Sequence, residues 1–125
     1  GACEFVRRYV GHKRLAVASN SPRPFVHQAL QEIGLLESFD AIVTIEDVRE
    51  RKPNPQMFFL AAQRLGVDSA RCLIFEDSGI GLQAARAGNF PAVLVLNPGN
   101  PLPDTIPDDI LTMTWPQLLR WANLT

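Results

Sequence analysis

Three short stretches of the 125-residue chain carry groups suited to chemistry: Ser19-Asn20-Ser21-Pro22, Lys52-Pro53-Asn54-Pro55 and Glu76-Asp77. The first follows an apolar run and precedes a helical pattern. Free N–H groups and the helix dipole attract anions at such a junction, so the Ser19 hydroxyl and the Asn20 backbone N–H could cradle a phosphate. The competing reading is that Ser19, Asn20 and Ser21 only cap the helix, which is the common use of these residues. Lys52 precedes proline, which favours extended backbone and gives a flexible point charge a fixed base. Against that, Glu46 to Arg51 reads as a solvated turn, and an isolated lysine there is ordinarily a surface residue. Glu76-Asp77 ends an apolar strand with two adjacent carboxylates, which repel one another when partly buried. A hard divalent cation such as Mg²⁺ would resolve the repulsion, completed by waters and substrate oxygens. Alternatively, Asp77 and Ser78 cap the following helix while Glu76 stays in water.

Other candidates fail on context. Gly79-Ile80-Gly81-Leu82-Gln83-Ala84 matches the G-x-G-x-x-A dinucleotide pattern after a strand. The acidic pair before it would repel a pyrophosphate, and no acid stands near Leu96-Asn97 to bind a ribose. Cys3 and Cys72 lie too far apart in sequence for a metal pair and fit a reduced, cytoplasmic protein. His12 and His27 are isolated, and neither reads as catalytic.

The elements that must position the three stretches can be read from apolar spacing. Residues 3–11 resemble the end of a helix. A strand buried on both faces fits 14–18, and a helix carrying Phe25, Val26, Ala29, Leu30 and Ile33 runs to Gly34. A second strand is 41–44. Asn54 and Pro55 open a helix with Phe58, Ala61, Ala62 and Leu65 inward, closed by Gly66. Residues 72–75 form a third strand, 79–87 a small-residue helix ended by Gly88, and 92–96 a fourth strand. A proline-rich loop follows, then a short piece at 110–113 and a helix with Leu118, Leu119 and Trp121. Strands alternating with helices predict one α/β domain over 1–125, with a mainly parallel sheet and right-handed crossovers. Ligands gather at the carboxyl ends of such strands, where the three stretches fall.

Composition narrows the function. Apolar residues make up 46% of the chain and charged residues 20%, which fits a globular domain. Twelve basic against thirteen acidic side chains give no electrostatic reason to expect nucleic acid or an anionic membrane. No apolar run approaches the roughly 20 residues of a membrane span. The start, Gly1-Ala2-Cys3-Glu4-Phe5, lacks the pattern of a secretory signal. The expected compartment is cytoplasmic.

Taken together, Leu15-Ala16-Val17-Ala18-Ser19-Asn20-Ser21, Lys52-Pro53-Asn54-Pro55 and Phe75-Glu76-Asp77-Ser78-Gly79-Ile80-Gly81 through Ala84-Ala85-Arg86-Ala87-Gly88 resemble the haloacid dehalogenase superfamily, nearest its β-phosphoglucomutase-like phosphatases. The resemblance covers residues 3 to about 97. It implies a three-layer α/β/α Rossmann-like core and a Mg²⁺-dependent phosphatase or phosphomutase of small phosphorylated metabolites. Ser19 and Asn20 would bind the transferring phosphate, Lys52 would steady phosphate and nucleophile, and Glu76 and Asp77 would serve Mg²⁺, Asp77 above all. The family attacks with an aspartate of an Asp-x-Asp motif, and none occurs among the 125 residues: Asp40, Asp47, Asp68, Asp104, Asp108 and Asp109 have the wrong context. The family's cap is absent as well.

The chain therefore resembles the C-terminal portion of such an enzyme, with the central strand between its first and third strands missing. A strand of about five apolar residues contributes on the order of 8–15 kcal/mol when buried, comparable with a whole domain's stability of about 5–15 kcal/mol. Flanking strands closing up, a second copy, or a separate N-terminal piece are the three ways to fill that place. Negligible turnover by the chain alone is the expectation. The alternative is a non-catalytic anion-binding or assembly module derived from the same fold.

Overall fold

The computed structural model describes residues 1–124. Five helices and five strands follow in the order α1 (Ala2–Tyr9), β1 (Ala16–Ala18), α2 (Arg23–Glu32), β2 (Ala41–Val43), α3 (Gln56–Leu65), β3 (Ile74–Glu76), α4 (Gly79–Ala87), β4 (Ala92–Leu96), β5 (Leu111–Thr114) and α5 (Trp115–Leu124). All strand pairings are parallel, but they form two sheets: β1–β2, and β3–β4–β5. β1 and β3 are not hydrogen-bonded to each other. The strands flanking the expected gap have thus not closed over it.

Three apolar clusters explain the layers. Phe5 of α1 and Leu118 and Ala122 of α5 bury against Val93 and Val95 on one face of the three-stranded sheet. On its other face, Ala84 and Ala85 of α4 meet Ile74, Phe90, and Phe58 and Ala62 of α3. α3 turns Met57 and Ala61 the opposite way, onto Val43, Ala16 and Ala18 of the two-stranded sheet. Residues 57, 58, 61 and 62 give this helix two adjacent apolar stripes rather than one, so a single helix is keyed into both sheets. Across the opposite layer, the Arg7 guanidinium of α1 donates to the Ile33 carbonyl at the end of α2 (3.3 Å).

Local chemistry sets the ends of the elements. Gly66 ends α3 in the left-handed region (φ 69°), where glycine adopts a conformation other residues resist. The Ser78 hydroxyl caps α4 by accepting from Gly81 N–H (3.1 Å). Three 3₁₀ turns, Leu36–Ser38, Ile45–Asp47 and Ser69–Arg71, lie where the sequence shows only connecting loops.

The second of these turns corrects the reading of Glu46 to Arg51 as a solvated turn at Asp47 alone; Glu46, Arg49, Glu50 and Arg51 are exposed as expected. Thr44 is fully buried and forms a reciprocal capping box with Asp47. The Asp47 carboxylate also pairs with the Arg23 and Arg64 guanidiniums, and its side chain is 10% exposed. Burial pushes its carboxyl upward, but hydrogen bonds from Thr44 and Arg64 and the charge of Arg23 outweigh that and hold it below the ordinary range. A depressed folded value means that this stabilisation is complete above the unfolded value of about 3.9 and is lost as pH falls through the folded value. Asp47→Asn is therefore expected to lower stability at neutral pH and to flatten the loss below about pH 4, as read by urea unfolding across pH. An acid limb identical to wild type would contradict this role.

Candidate active site

The slot between the two sheets opens, at the carboxyl ends of β1 and β3, into a cleft of about 430 Å³. Ser19, Asn20, Lys52, Glu76 and Asp77 all line it, so the residues singled out in the sequence converge on one place. Asn97 and Trp115 also line the cleft.

Lys52 spans the slot. Its Nζ donates to the Ala18 carbonyl of β1 (2.7 Å) and to Glu76 Oε1 at the end of β3 (2.6 Å). The two side chains are 9% and 10% exposed. A surface lysine and a solvated glutamate are both overturned. The Phe58 ring lies 5.0 Å beneath the ammonium and adds a cation–π contact. Asn20 fixes the base of this arm: its amide donates to the Lys52 carbonyl (3.2 Å), and its Oδ1 accepts from the Lys52 N–H (3.0 Å).

Ser19 and Asn20 are not helix caps. α2 begins after Pro22 with no side-chain cap, and the Ser19 hydroxyl instead accepts from Ser21 N–H within the loop (3.1 Å). The Asn20 side chain is spent on Lys52, while its backbone N–H has no partner among the described residues. A hydroxyl, an unpaired N–H and an ammonium at one strand end make an anion site chemically sensible.

On the other wall, Ser78 caps α4 but Asp77 does not. Asp77 Oδ2 accepts from the amides of Asn97 (3.0 Å) and Asn100 (2.8 Å). The donor set suits a hard divalent cation in part: Asp77 offers a carboxylate oxygen, while Glu76 already serves Lys52. Among the described residues no group of three or more His, Cys, Asp and Glu could hold a metal, so water and substrate oxygens would have to complete the shell. Asp77 is the one aspartate lining the cleft. Asp40, Asp68 and Asp109 are occupied elsewhere, by Leu15 N–H, Ala70 N–H and the Arg86 guanidinium.

Gly81 explains the G-x-G-x-x-A pattern. A Cβ there would fall 2.0 Å from the Glu76 carboxyl carbon. The missing side chain admits this carboxylate rather than a pyrophosphate. Asn97, Asn100 and Trp115 escaped the sequence reading. Asn97 was within reach, because it too follows the carboxyl end of a strand; Trp115 sits 18 residues further on and had no local signal.

Comparison with known proteins places the fold in a family. The model of the haloacid dehalogenase-like hydrolases matches residues 1–89, and the chain belongs to that family. It is 39% identical over 90 residues to fructose-1-phosphate phosphatase YqaB of Escherichia coli K12, covering 72% of this chain and 48% of that protein. Over 96 residues it is 38% identical to the chloroplastic 5-amino-6-(5-phospho-D-ribitylamino)uracil phosphatase of Arabidopsis thaliana, covering 76% and 26%. Among solved structures, CbbY of Rhodobacter sphaeroides in complex with phosphate superposes with a TM-score of 0.78 at 25% identity, over 94% of this chain and 57% of that one. The chain thus spans about half or less of the curated relatives it matches. The α/β architecture read from the sequence holds. Among the described residues no helix is long and apolar enough to cross a membrane.

Proposed function

We infer that the cleft is the phosphate- and cation-holding portion of a Mg²⁺-dependent phosphoryl-transfer site that acts on small phosphorylated metabolites. The single observation behind this reading is the Lys52 ammonium, buried at the mouth of the slot and shared between the Ala18 carbonyl and Glu76. Phosphoryl transfer depends on positioning and on neutralising negative charge, and a fixed ammonium flanked by a hydroxyl and a backbone N–H suits both needs. In this reading Ser19 and the Asn20 N–H orient the phosphate oxygens and Lys52 balances their charge. Asp77 faces the cation, which when bound would supply positive charge against the same oxygens, and Glu76 serves the site by fixing Lys52.

The attacking group comes from outside these 125 residues, on a strand seated between β1 and β3. That strand would be supplied by a separate N-terminal piece, because a second copy of the chain could fill the slot but brings no Asp-x-Asp motif. Supplying p-nitrophenyl phosphate with Mg²⁺ tests the division of labour. The chain alone is expected to release no phosphate, yet to bind orthophosphate in a Lys52-dependent manner. Robust hydrolysis that disappears in Asp77→Ala would show that the nucleophile is already present. Failure to bind orthophosphate at all would remove the anion site.

A further inference from the structure

A chain of hydrogen bonds along the cleft wall reaches Asp77 from a residue 38 positions further on in the sequence. The Trp115 indole Nε1 donates to Asn97 Oδ1 (2.7 Å), Asn97 Nδ2 donates to Asp77 Oδ2 (3.0 Å), and Asn100 Nδ2 donates to the same oxygen (2.8 Å). The direction of this chain is forced. An indole nitrogen can only donate, so the group of Asn97 facing Trp115 must be the carbonyl oxygen. The amide NH₂ is thereby turned to the carboxylate.

The Trp115 ring cannot readily turn to release the bond. It packs on Phe5 (centroids 5.6 Å apart), and Phe5 in turn meets Phe75, the residue before Glu76 (5.1 Å). α5 begins at Trp115, β4 ends just before Asn97, and Asp77 follows β3, so two strands of one sheet and a helix packed on it fix a single carboxylate. Both amides fall on Oδ2, and Oδ1 takes neither of them.

We propose that Asn97 is a positioning residue, oriented by the Trp115 indole, that holds the Asp77 carboxylate with Oδ1 turned out for a divalent cation. This rests on the reading of Asp77 as a cation ligand given above. Partners that orient a ligating carboxylate typically change metal affinity about 10- to 100-fold when removed. An asparagine that merely anchored the proline-rich loop would affect stability and leave cation affinity and the Trp115 dependence unchanged.

Mn²⁺ binding to the full 125-residue chain, followed by electron paramagnetic resonance of the free ion, tests the proposal. Asn97→Ala is expected to weaken binding about tenfold or more. Trp115→Phe keeps the packing ring, removes the donor, and is expected to weaken it comparably, because the Asn97 amide can then turn over. The double variant is expected to bind like Asn97→Ala alone, since both act through one bond. Unchanged affinity in Asn97→Ala, or losses that simply add in the double variant, would overturn the proposal; should Asn97→Ala fail to fold, Trp115→Phe decides.

Asp77→Ala separates this proposal from the reading beneath it. If that variant binds Mn²⁺ as tightly as wild type, the assignment of Asp77 as a ligand fails. The positioning role is then decided without metal, by the Asn97 side-chain amide resonances of the metal-free protein. A shift of these in both Trp115→Phe and Asp77→Ala upholds it, and no shift in either overturns it.

Discussion

Replacing Lys52 with methionine is expected to abolish orthophosphate binding and to destabilise the fold by about 3–5 kcal/mol, the usual cost of stranding one partner of a buried ion pair. Methionine keeps an apolar contact over Phe58 and removes the ammonium with its charge and its two donated hydrogen bonds. Glu76 then retains the Ser78 hydroxyl, a long contact at 3.3 Å, and the Ala18 carbonyl loses its donor. A second change separates structure from binding. Glu76→Gln in the Lys52→Met background removes the stranded charge, and it is expected to recover much of the stability without restoring anion affinity. Urea unfolding and titration calorimetry with orthophosphate read the two effects. A Lys52→Met protein that binds orthophosphate as well as wild type would end the assignment of the cleft as an anion site.

Valine at position 81 is expected to act on the same ion pair from the other side. The first atom of any side chain there would lie 2.0–2.4 Å from the Glu76 carboxyl atoms, so Glu76 must leave its place or α4 must shift. Either response breaks the 2.6 Å contact with Lys52. The expected loss is about 3 kcal/mol, from overpacking together with a stranded charge. Glu76→Ala offers the control, because it clears the space. Gly81→Val should cost less than about 1 kcal/mol in that background, once the colliding carboxylate is gone. Equal costs in the two backgrounds would show that the glycine serves backbone geometry instead.

Much of the architecture was legible because its signals are local. Gly66 and Gly88 end their helices where expected, the 79–87 helix and the 92–96 strand have the expected bounds, and polar residues at strand ends do line one cleft. What escaped depends on partners distant in the chain. Asp47 reads as solvated until α2 and α3 bring Arg23 and Arg64 to it. Lys52 has the surroundings of a surface lysine, and only the approach of β3 supplies Glu76. Asn20 was expected to act through its backbone alone. Its side chain proves to clasp Lys52, a pairing across 32 residues that no periodicity reveals. The Trp115–Asn97–Asp77 chain is of the same kind, since it joins three elements through single polar atoms.

The double-sided burial of α3 bears on how the cleft keeps its dimensions. Ser19 and Asn20 ride on one sheet and Glu76 and Asp77 on the other, while the helix that sets the spacing between them contributes no side chain to the cleft. Met57 and Phe58, neighbours in sequence, act as the two jaws of a spacer gauge. A volume change at Met57 alters the width of the cleft without touching it, and one at Phe58 does so from directly beneath Lys52, so tolerance to drift in this part of the core is governed by the calibre of the opening as well as by packing.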